Sequence, residues 1–358
     1  MNPINAIKQH LLPLLELTGV SGREAPVIRY MQDALSPLCD ELTTDPMGNV
    51  FAVKRGNKTG PKLLVTAHSD EIGLLVRSIE PNGFIRFIKV GGTQDSLLPA
   101  RVVNVAGNIG VIGVKAGHLA SEKERNEVKK PADLYIDVGA TSKEEAESMG
   151  IGIGSPITFV SEPRFIKGNL IVSRALDDRV GCAVLIALME ALRDGDFPGQ
   201  FHAVVTVQEE VGLRGARVAG FRVNPDLAVA LDTIPSGDTP DTNFNKEHPV
   251  AIGKGPVLQV TSGGMFADTT VLSLLKDAAE AAGVPYQLVT FTGGNTDSTA
   301  IHQVRAGIPS GAVTIPRRYS HSPVELLDLN DAVAALKLLE SLARRMPESI
   351  QWRLPGEI

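Results

Sequence analysis

Four short apolar runs constrain this chain more than any other feature, because each leads into a carboxylate or an imidazole. Residues 62–67 (KLLVTA) run into His68-Ser69-Asp70, residues 202–208 (HAVVTVQ) into Glu209-Glu210, and residues 226–231 (DLAVAL) into Asp232. Residues 310–315 (SGAVTI) are followed by Tyr319-Ser320-His321-Ser322. Short apolar, β-branched runs are how strands buried on both faces of a parallel sheet read. Ligands of open α/β sheets gather beyond the carboxyl ends of the strands. These scattered acids and histidines are therefore expected to converge at one edge of one sheet. His, Asp and Glu gathered there are the raw material of a divalent-metal site.

With 358 residues the chain can build a large core or two domains. Its 43% apolar and 21% charged residues are those of an ordinary globular protein, and a net charge of −6 argues against a nucleic-acid partner. Cys39 and Cys182 form no CxxC pair, which argues against a thiolate metal site and a disulfide framework. Two free thiols fit a reducing cytoplasm. The opening residues (MNPINAIKQHLLPLLEL) read as an amphipathic helix rather than a signal peptide. The apolar stretch 180–189 is too short to span a bilayer, so no membrane partner is expected.

Helical spacing is clear over residues 5–17 and 24–38, followed by a turn at 45–49 and a strand at 50–54. From about residue 72 the texture changes to strand-length runs separated by glycines (IGLLVRSI, GFIRFIKVGG, RVVNVAG, IGVIGVK), as in a small β-barrel or sandwich. An acidic stretch at 142–148 reads as one short helix within it. Strand–helix alternation then resumes, with helices predicted over 177–192, 269–282, 296–306 and 329–346. Asp328 is the expected N-cap of the last, and Arg344 and Arg345 complement its C-terminal dipole. The β-rich segment thus interrupts an α/β domain.

Two adjacent divalent ions need one shared ligand and further ligands for each. Asp177 suits the shared position, because it opens a helix in Ser173-Arg174-Ala175-Leu176-Asp177-Asp178-Arg179. His68, Glu210, Asp232 and His321 are the other candidates, which leaves coordination positions open for water and substrate. Glu209, beside a ligand but not one itself, is the natural proton shuttle. Asp70, two residues after His68, can hold the imidazole's other nitrogen. Taken singly, each acid reads more readily as a helix cap or surface group than as a ligand. His10, His118, His202, His248 and His302 read as structural. The weight lies in the conjunction. HExxH, P-loop and GxSxG patterns are absent, which removes simpler zincin, NTPase and serine-hydrolase readings.

At these residues the chain resembles the M42 family of metallo-aminopeptidases, the glutamyl and tetrahedral aminopeptidase group. The resemblance runs end to end through Gly19-Val20-Ser21-Gly22-Arg23-Glu24, Ala67-His68-Ser69-Asp70-Glu71-Ile72-Gly73, Ala175-Leu176-Asp177-Asp178-Arg179, Gln208-Glu209-Glu210-Val211-Gly212-Leu213-Arg214-Gly215-Ala216 and Tyr319-Ser320-His321-Ser322-Pro323. It implies a mixed-sheet α/β/α (phosphorylase/hydrolase-like) metallopeptidase domain of residues 1–71 and 165–358, interrupted by a small PDZ-like β-barrel domain at 72–164. It implies two divalent metal ions per subunit, zinc foremost, with cobalt or manganese as alternatives. His68, Asp177, Glu210, Asp232 and His321 would be their ligands, with Asp177 bridging through a cis Asp177–Asp178 bond. Where the family often has Asn, this chain has Asp178, which is not expected to ligate. The resemblance further implies removal of N-terminal residues from short peptides by a metal-bridging hydroxide, with Glu209 as general base and Asp70 orienting His68. Gly293-Gly294-Asn295-Thr296-Asp297 resembles a family loop near the active site, where Gly293 and Gly294 would let backbone approach substrate; a plain helix-start turn, with Asp297 taking backbone N–H groups, is the competing reading. A homo-oligomer is expected, a dodecamer built from dimers, with the insertion supplying contact surface.

Two rival activities differ in what they require. A deacylase of acyl-amino acids could use the same ligands but would not need a free substrate amine. A glycosidase pairing Glu209 with Glu210 needs its carboxyls across a sugar, about 5–9 Å apart. That reading leaves five candidate ligands unexplained.

Overall fold

The computed structural model describes residues 2–354. Among these, one large mixed sheet carries the molecule, its strands ordered Glu41–Thr44, Val50–Arg55, Pro198–Thr206, Lys58–His68, Leu227–Pro235, Ser310–Arg318, Glu325–Asp328, Leu170–Ser173 and Arg164–Phe165. Val257–Thr261 pairs with Ser310–Arg318 and carries Gln287–Thr290 beside it. The four apolar runs are its four adjacent, mutually parallel centre strands. All the outer pairings on the main path are antiparallel.

Side chains alternate across these strands. Leu63, Val65, Ala67, Val205, Val229, Leu231, Val313 and Ile315 face one layer, built by the helices Pro3–Glu16, Ala25–Leu35, Leu176–Ala191, Thr269–Ala282 and Leu329–Arg345. Leu64, Val204 and Ala228 face the other, thinner layer with helices Arg214–Val223 and Asp297–Ile301. Leu176–Ala191 is buried on nearly every side, hence its lack of a polar face. Each fully buried leucine or valine there contributes about 1.5–3 kcal/mol.

The β-rich segment forms a closed antiparallel barrel of Gly73–Ile79, Ile85–Val90, Tyr135–Asp137, Asn108–Gly113, Val102–Val105 and Pro156–Phe159, in that order around the wall. Leu74, Val76, Ile85, Phe87, Val103, Val105, Ile112, Ile136, Ile157 and Phe159 fill it. The hairpin between Val102–Val105 and Asn108–Gly113 turns on Ala106 and Gly107, both at positive φ (50° and 96°). Positive φ at both central residues is the turn whose twist matches paired strands. The barrel is inserted after Lys58–His68, so the candidate residues His68 and Asp70 sit at its root.

Helix ends depart from the sequence reading for local reasons. The second helix stops at Leu35, and Ser36–Leu38 tightens to a 3₁₀ turn, because Pro37 has no N–H to give. The helix read over 296–306 is only Asp297–Ile301, since Arg305 takes a left-handed conformation (φ 55°) and Ile308 N–H turns back to the His302 carbonyl. Leu329–Arg345 is capped by Asp328, as its sequence predicts, and the acidic stretch forms the helix Lys143–Ser148. Among the described residues no helix is long and apolar enough to cross a membrane.

Candidate metal centre

Strand register brings the first ligands together. His68 is the last residue of its strand and stands level with Thr206 on one neighbour. On the other side Ala230 pairs with Thr66, so two residues further along Asp232 stands level with His68. Period-two alternation puts both on the same face. Glu209 and Glu210 follow Pro198–Thr206, and His321 follows Ser310–Arg318. Asp177 arrives from the opposite layer, at the start of Leu176–Ala191. There Asp177 and Asp178 depart from helical φ/ψ and their peptide bond is cis, as the resemblance implies.

The two carboxylate oxygens of Asp177 face two different groups. Oδ1 lies 3.1 Å from His68 Nε2, which is itself 3.8 Å from Asp232 Oδ1. Oδ2 lies 3.5 Å from His321 Nε2, which is 3.4 Å from Glu210 Oε2. Ligand atoms of His68, Asp177 and Glu210 all fall within 4.8 Å of one another. The five residues read from the sequence are thus brought into one cluster. None of the five histidines read as structural belongs to either metal-ligand group found among the described residues.

A second group within the same 4.8 Å contains His68, Asp232 and, instead of Asp177, Asp178. Hydrogen bonding separates the two aspartates. Asp178 Oδ2 accepts the N–H of His68 at 3.3 Å and Oδ1 accepts the N–H of Gly181 at 3.1 Å. Both of its oxygens therefore serve backbone, one of them holding the His68 main chain, whereas those of Asp177 point at side chains of the cluster.

The electrostatics are those of acids crowded without enough counter-charge. Burial, with Asp232 and Glu210 beside it, pushes Glu209 well above the usual carboxylate range. Burial and Asp177 push Glu210 up to about 8, and burial and Asp177 also raise Asp232. Burial opposes ionised Asp177 too, but the Arg317 guanidinium, with His321 and His68, holds it well below that range. Burial likewise opposes a charged His321, yet Asp177 and Glu210 carry it up to about 9. Glu210 Oε1 is buried with no hydrogen-bond partner. An orphaned carboxylate oxygen, two converging imidazoles and several crowded acids are a donor set that divalent ions complete, and the mixed N/O chemistry suits zinc, cobalt or manganese. The residues fit the ions that the fold implies.

Asp70 makes more contacts than those with His68. His68 Nδ1 lies 3.1 Å from the Asp70 backbone carbonyl and 3.5 Å from its carboxylate. That carboxylate chiefly accepts the N–H groups of Glu209 (2.9 Å) and Glu210 (3.1 Å) and the Ser21 hydroxyl (2.6 Å). Glu24 takes the preceding N–H, that of Gln208, at 3.2 Å. Three successive backbone donors are thereby fixed where the loop delivers Glu209 and Glu210. Ser21 and Glu24 lie in a motif visible in the sequence, but nothing there shows where they point. Arg317 and Glu325 were also missed. Glu325 accepts the N–H of Asp177 at 3.1 Å and of His321 at 3.3 Å.

A cavity of about 520 Å³ opens over the cluster, and Gly293 and Gly294 line it beside His68, Glu209 and Asp232. Asp297 does not cap its own helix; it accepts the Thr206 hydroxyl at 2.7 Å and is pushed by burial up to about 6. The barrel contributes Gly92 and Gln94 to the wall. A Cβ at Gly92 would stand 2.5 Å from His321 Nδ1, so only glycine lets this loop close on the imidazole.

The profile of the M42 glutamyl aminopeptidase family matches residues 48–338. The lysyl aminopeptidase of Pyrococcus furiosus is 34% identical over 93% of this chain and 95% of its own. Aminopeptidase APDkam598 from the archaeon Desulfurococcus kamchatkensis superposes with a TM-score of 0.90 at 36% identity, covering 96% of both chains. The Pyrococcus horikoshii TET1 peptidase, which can assemble into a tetrahedron or a large octahedral shell, gives 0.84 at 32% identity over 96% of this chain and 100% of that one. With an inserted barrel at the root of a mixed sheet and a buried His/Asp/Glu cluster under its mouth, the chain belongs to the M42 glutamyl aminopeptidase family and is an aminopeptidase.

Proposed function

We propose that this aminopeptidase holds two divalent ions per subunit and removes N-terminal residues from short peptides. The observation that carries this reading is the division of Asp177, with one oxygen toward His68 and Asp232 and the other toward His321 and Glu210. His68 and Asp232 would hold one ion, Glu210 and His321 the other, and Asp177 both. Bound there, the ions supply Lewis acidity toward the scissile carbonyl and lower the pKa of coordinated water towards neutrality. Glu209, whose proton affinity burial raises, would take a proton from the attacking water and pass it to the leaving amine. Asp70 and Glu24 keep its loop from shifting. Zinc is the proposed ion, with cobalt or manganese as alternatives, and two free cysteines support a reducing, cytoplasmic setting.

Activity toward a panel of aminoacyl chromogenic substrates should vanish with a chelator and return with zinc, cobalt or manganese. N-acetylated versions of the best substrate should not be cleaved, because the free amine has to sit against the acidic cluster. Cleavage of acylated substrates would instead favour a deacylase, and chelator-resistant activity would sink the metal reading altogether.

Residues 72–164 are proposed as a separate unit that walls the cavity and joins subunits. Its outer face exposes Ile88, Val102, Ile109 (61% exposed) and Val111, on three strands of the barrel. Apolar groups clustered on a barrel exterior mark a contact surface. The proposed assembly is a homo-oligomer, a dodecamer built from dimers in keeping with the tetrahedral assembly of the Pyrococcus horikoshii relative, which would also confine access to short peptides. Light scattering of the metal-loaded protein should give a mass near twelve subunits; a monomer at every concentration would remove the proposed role of the barrel face.

A further inference from the structure

Arg317 stands in the centre without a part in the chemistry above. It is 2% exposed, an arginine sealed inside a cluster of acids. One guanidinium nitrogen, Nη2, donates to Asp177 Oδ2, and Nε lies 3.4 Å from Glu325 Oε1. Nε and Nη1 are shut off from solvent and have no hydrogen-bond partner, although the residue lies in the wall of the cavity over the cluster. The contact is one-sided. Asp177 Oδ2 is the oxygen turned to His321, while Oδ1, turned to His68, is free of the arginine.

We infer that Arg317 makes the two metal positions unequal, as a resident cation that weakens the Asp177/Glu210/His321 position relative to the His68/Asp177/Asp232 position. The inference rests on the two-ion reading above. An ion at the first of these must share Asp177 Oδ2 with a fixed positive charge a few ångströms away. Repulsion between charges that close, in a partly buried site, reaches the kcal/mol range that changes affinity tenfold or more. An ion held by His68 and Asp232 would draw on Oδ1, which is not the oxygen that takes the guanidinium's hydrogen bond. The positions therefore fill in order, that of His68 and Asp232 first. Glu325 softens the effect without cancelling it, because its carboxylate also takes the N–H groups of Asp177 and His321.

The test is a cobalt(II) titration of chelator-stripped protein, followed by calorimetry and by visible absorption. Wild type should bind in two steps at least tenfold apart, and H321A should lose the weaker step while keeping the tighter. R317Q, neutral and similar in length, should tighten the weaker step at least tenfold, and R317K should keep the original separation. Equal steps in wild type, an unchanged gap in R317Q, or a closed gap in R317K would each overturn the inference. If R317Q does not fold by circular dichroism, R317M, also neutral and similar in length, takes its place, and an unchanged gap there overturns the inference equally. No cobalt bound by wild type at all would count against the two-ion reading itself.

Discussion

Asp177→Ala should empty the centre of both ions, a larger effect on metal content than any other single carboxylate replacement. Among the five candidate ligands it is Asp177 that presents one oxygen to each half of the cluster. Asp232→Ala removes one ligand from the His68 side alone and should leave one of two ions in place, and Glu210→Ala should do the same for the His321 side. The arithmetic of shared ligands sets this order, since losing a bridge lowers the ligand count at both ions together. Asp177→Ala also strips Arg317 of its nearest counter-charge, and a buried cation deprived of a partner destabilises by about 3–5 kcal/mol. Asp177→Asn, which keeps the volume and one acceptor oxygen, separates the metal effect from that instability. Elemental analysis of the purified variants is the measurement. Two ions per subunit retained by Asp177→Ala would place the bridge elsewhere, and the split contacts of Asp177 would then need another explanation.

The four central strands were legible because their two-sided burial is written as unbroken apolar sequence, and the residues just past them were legible with them. Asp232 and His68 needed only strand register to meet. Asp177 was less so. Nothing in a run of Leu-Asp-Asp-Arg states that the helix it opens lies in the opposite layer with its first turn distorted, and the resemblance supplied that step. The supporting residues were the least legible. Glu24 and Asp70 lie 46 positions apart in the chain, yet both hold the Gln208–Glu210 backbone, and only tertiary structure reveals the meeting. Arg317 and Glu325 read as ordinary charges flanking a strand, because one sequence does not show that both are sealed from water. The strands Val257–Thr261 and Gln287–Thr290 also escaped notice; they are short, and their burial depends on neighbours brought in from elsewhere. Helix ends failed where a single residue departed from helical geometry, as Arg305 does.

Glu209→Gln should keep both ions, the fold and substrate affinity, and lose turnover by about 10²–10⁴-fold, the usual worth of a positioned acid–base group. That corresponds to about 3–5 kcal/mol on the barrier. The amide matches the carboxyl in volume, and the loop is held through its backbone by Asp70, so replacing the side chain does not release it. What the amide cannot do is take a proton and give it up. Burial, reinforced by Asp232 and Glu210, raises the proton affinity of Glu209 above that of an exposed glutamate. With divalent ions bound the ionised form would be favoured, so the carboxylate could take a proton from water and give it to the departing amine. Glu210→Gln provides the contrast. It alters a proposed ligand, so its loss of activity should come with loss of metal. Steady-state kinetics and elemental analysis on the two variants therefore distinguish a proton shuttle from a ligand. A Glu209→Gln enzyme with nearly wild-type kcat would remove Glu209 from the proton path, and one that lost its metal would move it into the coordination sphere.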